Sequence, residues 1–271
     1  MTLTELLRVA PATTPDLAAI DPSSTPGFDG DKAAARARLK ELRDELAAFQ
    51  ERLWAEAEQS LLVVIQALDA GGKDGFIRKV ITAFNPQGTR VTSFGVPTEE
   101  ELRHDFLWRI HEAAPGKGRI GVFNRSHYED VLVVRVNELV PKSVWQDRYE
   151  RINAFEANLA ANGTRIVKLF FHISRDEQRR RFEKRLENPE KHWKWSSGDL
   201  ETREKWPAFQ AAYTDALARC STDVAPWYVV PADHKWYRDL ATAEILIHAA
   251  RAMDPQWPQP EQDLSKVVIP D

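Results

Sequence analysis

Five short β-rich runs, each separated from the next by a segment long enough for a helix, constrain this chain more than any other feature. The runs are residues 61–67, 89–94, 119–124, 165–173 and 227–230. Strands joined by helix-length crossovers run parallel, and a parallel sheet must be covered on both faces. The pattern therefore predicts an α/β fold: three layers, α/β/α, around a five-stranded, mostly parallel sheet.

The flanks read differently. Residues 1–30 carry Pro11, Pro15, Pro22 and Pro26 among Ser, Thr and Asp, which predicts an extended arm, either mobile or laid on the surface. From 31 to 58, Leu39, Leu42, Leu46, Phe49 and Leu53 recur at helical spacing and predict a long amphipathic helix. A single domain is expected over 31–254, followed by an irregular tail at 255–271 with Pro255, Pro258, Pro260 and Pro270. Thr98 with Glu101, Ser143 with Gln146 and Ser174 with Glu177 match capping boxes. The apolar run 131–136 does not separate strand from helix by period, and its context favours a helix.

Composition narrows the function classes. An apolar share of 43% and a charged share of 29% over 271 residues belong to a globular chain. The formal net charge of −4 argues against a protein that coats nucleic acid or anionic lipid as a whole, so any polyanion must meet a local patch. One cysteine, Cys220, makes neither an internal disulfide nor a multi-cysteine zinc site and suits a reducing compartment. No leader pattern opens the chain, and its longest apolar run, 61–65, is far below the roughly 20 residues of a membrane span. A cytoplasmic protein without membrane association is expected.

The first strand runs into Ala67-Leu68-Asp69-Ala70-Gly71-Gly72-Lys73-Asp74-Gly75 and then a helix-compatible segment containing Arg78 and Lys79. In an open parallel sheet, ligands sit beyond the carboxyl ends of strands, where a strand-to-helix turn aims backbone N–H groups at an anion. Residues 70–75, Arg78 and Lys79 are thus candidate phosphate binders, with Lys73 as the point charge on a phosphoryl oxygen. Against G-x-x-x-x-G-K-S/T, Ala67 replaces the first glycine and Asp74 the hydroxyl residue. A tight turn alone would also use Gly-Gly. Asp69 is unusual, because a carboxylate beside phosphate is repelled unless a cation intervenes, so it is a metal-ligand candidate; an Asx-type turn is its plainer role.

The third strand ends in Val122-Phe123-Asn124-Arg125-Ser126-His127-Tyr128-Glu129-Asp130. Arg, Glu and Asp here face the same crevice as the first loop if both strands are central. With this motif the chain resembles the second family of polyphosphate kinases, P-loop kinase folds related in architecture to thymidylate kinase. The resemblance rests on 69–75, on 123–130 and on the basic stretch Glu187-Asn-Pro-Glu-Lys-His-Trp-Lys-Trp195 that corresponds to the family's lid. It implies reversible, direct phosphoryl transfer between inorganic polyphosphate and a nucleotide, dependent on Mg²⁺ or on Mn²⁺ in its place, in a homo-oligomer. Asp69 and Lys73 match the Walker A acid and lysine, and Arg125 the Walker B arginine. Where many members have Phe-Asp-Arg-Ser, this chain has Asn124, a weaker metal ligand, so Glu129 or Asp130 is an alternative metal ligand. The Asn-Arg-Ser-His-Tyr-Glu-Asp version resembles the class III subgroup, which implies phosphorylation of both AMP and ADP to give ATP. Glu129 occupies the position that distinguishes that subgroup and is expected to help place the acceptor phosphate when AMP is bound.

From 175 to 194 the chain has eight Lys or Arg against five acids, a local positive excess within an acidic protein. Such a run can be a solvated helix face with i,i+4 pairs. Beside a phosphate loop it reads as a helical lid at about 175–198 in which Arg185, Lys191 and Lys194 neutralise a polyanion and water is excluded. Trp193, Trp195 and Trp206 among the charges also suit stacking on single-stranded nucleic acid. No RNA-binding signature or overall basicity accompanies them, so nucleic acid is not the expected partner. The rival readings are an ATP-dependent kinase of a small metabolite or nucleotide and a non-catalytic polyphosphate or nucleic-acid binder.

Overall fold

The computed structural model describes residues 1–267 and 269–270. In chain order its elements are α1 (Leu3–Leu7), α2 (Lys32–Glu56), β1 (Ser60–Ala67), α3 (Lys73–Lys79), β2 (Thr89–Ser93), α4 (Trp108–Ala113), β3 (Ile120–Asn124), α5 (Val133–Val136), α6 (Lys142–Ala161), β4 (Thr164–His172), α7 (Arg175–Leu186), α8 (Gly198–Glu204), α9 (Trp206–Cys220), β5 (Trp227–Pro231) and α10 (Lys235–Met253). The five strands form one sheet in the order β2-β3-β1-β4-β5, and every pairing is parallel.

Side chains alternate across β1 and so hold both outer layers to one strand. Leu61, Val63, Ile65 and Ala67 pack with α2 and α10, whereas Leu62 and Val64 pack with α6 and α9. All eight residues of β1 are buried, as expected of a central parallel strand. The predicted stripe on α2 points inward: Leu42, Leu46, Phe49 and Leu53 are buried, and Leu39 packs on their edge.

The arm differs from a wholly extended one. Thr2 caps the short helix α1 with both bonds of a capping box, and Leu7, Val9 and Leu17 are buried. The Val9 N–H donates to the Trp227 carbonyl at 2.9 Å, and the Tyr237 hydroxyl to the Pro26 carbonyl at 2.7 Å. These bonds lay the arm on the sheet's β5 edge and on α10. In the tail, residues 255–263 are irregular and Leu264–Lys266 make a short 3₁₀ turn; residues 268 and 271 lie outside the described residues.

The three capping boxes divide. Thr98 and Glu101 exchange both bonds, at 2.8 and 3.2 Å, but cap only the 3₁₀ turn Glu101–Arg103. Ser143 lies inside α6, because Pro141 takes the cap position. Ser174 caps α7 by accepting from the Glu177 N–H at 3.0 Å, while the Ser174 N–H turns to Asp233 at 2.8 Å. Glu177 is thereby free to pair with Arg180 and Arg181. The ambiguous run 131–136 ends in the short helix α5.

Candidate active site

β1 and β3 are neighbours in register, with Ile65 opposite Asn124, so their following loops meet. The Arg125 N–H donates to the Ile65 carbonyl at 3.1 Å, and Arg125 adopts φ 61°. A left-handed non-glycine residue costs of order 1–3 kcal/mol and persists only where its surroundings hold it. Here it turns the guanidinium back across the crevice to Asp69, at 2.8 Å.

The loop after β1 is a nest of donors. Gly71 N–H closes a turn onto the Leu68 carbonyl at 2.9 Å. Among the described residues, the N–H groups of Ala70, Gly72, Lys73, Asp74 and Gly75 have no hydrogen-bond acceptor. Convergent N–H groups at the end of a parallel strand bind anions. Gly72 has no substitute: its φ is +102°, and a Cβ there would lie 2.0 Å from Nη1 of Arg238.

Charges are matched around this nest. The half-buried Lys73 donates to the Ala67 carbonyl at 2.7 Å. Burial pushes its ammonium pKa down, with Asp69 and Glu129 opposing the shift. Glu129 faces Arg125 and Lys73; burial pushes its carboxyl up against the pull of those two cations. It stands behind Arg125 rather than in the cavity wall. Asp74 pairs with Lys194 at 2.7 Å, and that bond holds its carboxyl below the ordinary range. Arg185 pairs with Asp199 at 2.6 Å and donates to the Lys194 carbonyl at 3.0 Å. The 3₁₀ turn Pro189–Lys194 is thus drawn down toward the phosphate loop.

The resulting cavity measures about 1540 Å³ and contains Asp69, residues 70–75, Arg78, Lys79, Arg125, Arg185, Lys191 and Lys194 in its wall. Fourteen Lys or Arg against six Asp or Glu line it, an excess that selects a polyanion in a chain of net charge −4.

One expected ligand is elsewhere. Asp130 is buried and pairs with Arg148 at 2.9 Å, and its other charged neighbours are Arg109 and His127. The 3₁₀ turn His127–Asp130 sends it to the opposite side from Glu129, so it is withdrawn as a metal ligand. His127 is equally remote from the cavity: it is fully buried, with Nε2 3.1 Å from Glu156.

Other site residues carry no motif. Asp199 lies in the wall facing Asp69; burial and then the Asp69 charge push its carboxyl up against the pull of Arg185. Gln178, Arg181 and Arg238 reach the loop from behind. For a hard cation the oxygens available are Asp69, Asp199 and the amide oxygen of Asn124, which is buried without a partner. Among the described residues no three His, Cys, Asp or Glu converge, so most ligands of such an ion would be substrate oxygens and water, the usual habit of Mg²⁺.

The geometry agrees with known proteins. The family model described as Polyphosphate kinase 2 matches residues 29–258. The chain is 52% identical to an AMP/ADP-polyphosphate phosphotransferase of Meiothermus ruber over 97% of its own length and 98% of the relative's. It is 45% identical to an ADP-polyphosphate phosphotransferase of Rhodopseudomonas palustris, over 80% and 79%. A crystal structure of polyphosphate kinase 2 from Arthrobacter aurescens superposes with a TM-score of 0.94 at 43% identity, covering 98% of this chain and 94% of that one. The chain belongs to the polyphosphate kinase 2 family.

Proposed function

We propose that this protein transfers phosphoryl groups from inorganic polyphosphate to AMP and to ADP, yielding ADP and ATP. The single observation that carries the reading is the strongly cationic cavity built on a nest of free N–H groups with Lys73 and Arg125. The Meiothermus ruber relative, named for both acceptors, supports the pair of substrates.

An oxygen of the nucleotide's terminal phosphate attacks the terminal phosphorus of the chain in line, the bond to the next bridging oxygen breaks, and the polymer leaves one unit shorter. Little covalent chemistry falls to the protein, so rate comes from positioning and charge stabilisation. The 70–75 nest and Lys73 hold the chain terminus. Arg125, fixed by Asp69, supplies a fork to the phosphoryl oxygens as charge moves between them. Arg185, Lys191 and Lys194 neutralise the following phosphates, and the ion pairs Lys194–Asp74 and Arg185–Asp199 hold their segment closed as a cover that excludes water. A Mg²⁺ ion, held by Asp69, Asp199 and Asn124, would screen the phosphate charges.

Glu129 sets how Arg125 and Lys73 meet the acceptor, and AMP, with one phosphate fewer than ADP, depends more on that setting. Glu129→Gln is expected to lower kcat/KM for AMP at least about tenfold more than for ADP, as the loss of a charge-assisted contact would. Steady-state rates on the two acceptors check this; equal losses would remove the special role of Glu129.

A further inference from the structure

The backbone carbonyls of the phosphate loop are pulled away from the cavity by side chains. Lys73 takes the Ala67 carbonyl at 2.7 Å, Gln178 Nε2 the Asp69 carbonyl at 3.0 Å, and Arg181 Nη1 the Ala70 carbonyl at 2.8 Å. Ala70 needs holding: its φ is 59°, a left-handed conformation that costs a residue with a Cβ about 1–2 kcal/mol.

Arg181 is built for this task. It is 8% exposed, and each arm of its fork is engaged. Nε donates to Glu177 at 2.6 Å, Nη1 to Ala70, and Nη2 to the carbonyls of Ala232 and Asp233. One side chain therefore ties α7, the phosphate loop and the turn between β5 and α10 together. Gln178, 0% exposed, is fixed in turn by Arg203, which donates to its Oε1 at 3.0 Å. The buried face of α7 is thus a fixed clamp, and only the segment beyond Leu186 has the exposure of a cover.

We propose that Arg181, assisted by Gln178, is the positioning residue that holds Ala70 in its left-handed conformation and so keeps the N–H groups of the loop turned toward the polyphosphate terminus. The inference rests on the polyphosphate reading above. It acts through the loop rather than on the substrate, and that difference can be measured.

The test assays Arg181→Met in the full chain, once with Ala70 present and once in the A70G background, varying polyphosphate and ADP in turn. With Ala70 present, kcat/KM for polyphosphate should fall about tenfold, the equivalent of the released strain, mainly through KM and with the ADP KM unchanged. In the A70G background the same substitution should cost less than about threefold, because glycine adopts positive φ without penalty. Equal losses in both backgrounds, or a loss confined to kcat, would overturn the clamp. Arg181→Lys should resemble Arg181→Met, since one ammonium cannot span three partners; full activity there would also overturn it. If Arg181→Met does not fold, Gln178→Met carries the test, with a raised polyphosphate KM in support and an unchanged one against. Wild-type protein that makes no ATP from polyphosphate would sink the functional reading instead. The clamp is then read from amide hydrogen exchange at residues 70–72, which should quicken in Gln178→Met or Arg181→Met while the sheet stays protected; unaltered exchange would overturn it.

Discussion

Replacing Lys73 with alanine should lower turnover by about 10² to 10³-fold, the scale on which a preorganised charge or donor acts in a dry site, while the protein still folds. Lys73 is the one cation whose ammonium sits within the nest itself, fixed on the Ala67 carbonyl and flanked by Asp69 and Glu129. Arg125 and the lysines of the cover remain in the variant, so binding of the polymer should suffer less than transfer. The measurement is kcat with saturating polyphosphate, beside a thermal melt. Near-wild-type turnover would remove Lys73, and with it the phosphate-loop assignment, from the mechanism.

The second large effect concerns stability. Lys168 lies in the middle of β4 with 0% exposure and donates to the Tyr128 hydroxyl at 2.8 Å, to Glu156 at 2.5 Å and to the Cys220 carbonyl at 2.6 Å. Glu156, 1% exposed, also accepts from the Tyr128 hydroxyl at 2.9 Å and meets His127. Burial pushes the Glu156 carboxyl up, and Lys168 and His127 more than reverse that shift, so it stays ionised. Lys168→Met strands this carboxylate in the core, a loss of about 3–5 kcal/mol. For a domain of this size that lowers Tm by roughly 10 °C. Adding Glu156→Gln should recover part of the fall, because a neutral amide still accepts from Tyr128 without a buried charge. A Tm unchanged in Lys168→Met would show that the network contributes nothing. Because Tyr128 and His127 belong to the turn that carries Glu129, this network also explains why a histidine inside the second motif points away from the cavity.

The sheet was legible because parallel strands buried on both faces are written as runs of Leu, Val and Ile, and β1 and β4 are such runs. The loop was legible because its chemistry is contiguous: strand, glycines and lysine follow one another, and Arg125 lies at the end of the neighbouring strand. What escaped depends on contacts far apart in the chain. Arg181 and Ala70 are 111 positions apart, and Arg181 sits in a basic run where every arginine reads as solvated. Lys168 looks like a defect in an apolar strand until Glu156, Tyr128 and Cys220 surround it. Asp130 was assigned to the crevice because it adjoins Glu129 in sequence, yet in a 3₁₀ turn successive side chains point about 120° apart. Asp199 has no motif at all and joins the site only because Arg185 holds it there.

The central claim is tested most directly by ATP formation from AMP, and separately from ADP, with Mg²⁺ and long-chain polyphosphate, with Lys73→Ala protein prepared identically as the control for contaminating adenylate kinase. The account predicts ATP from both acceptors that requires polyphosphate and is lost in the variant. Product from neither, or product that persists in Lys73→Ala, would contradict it.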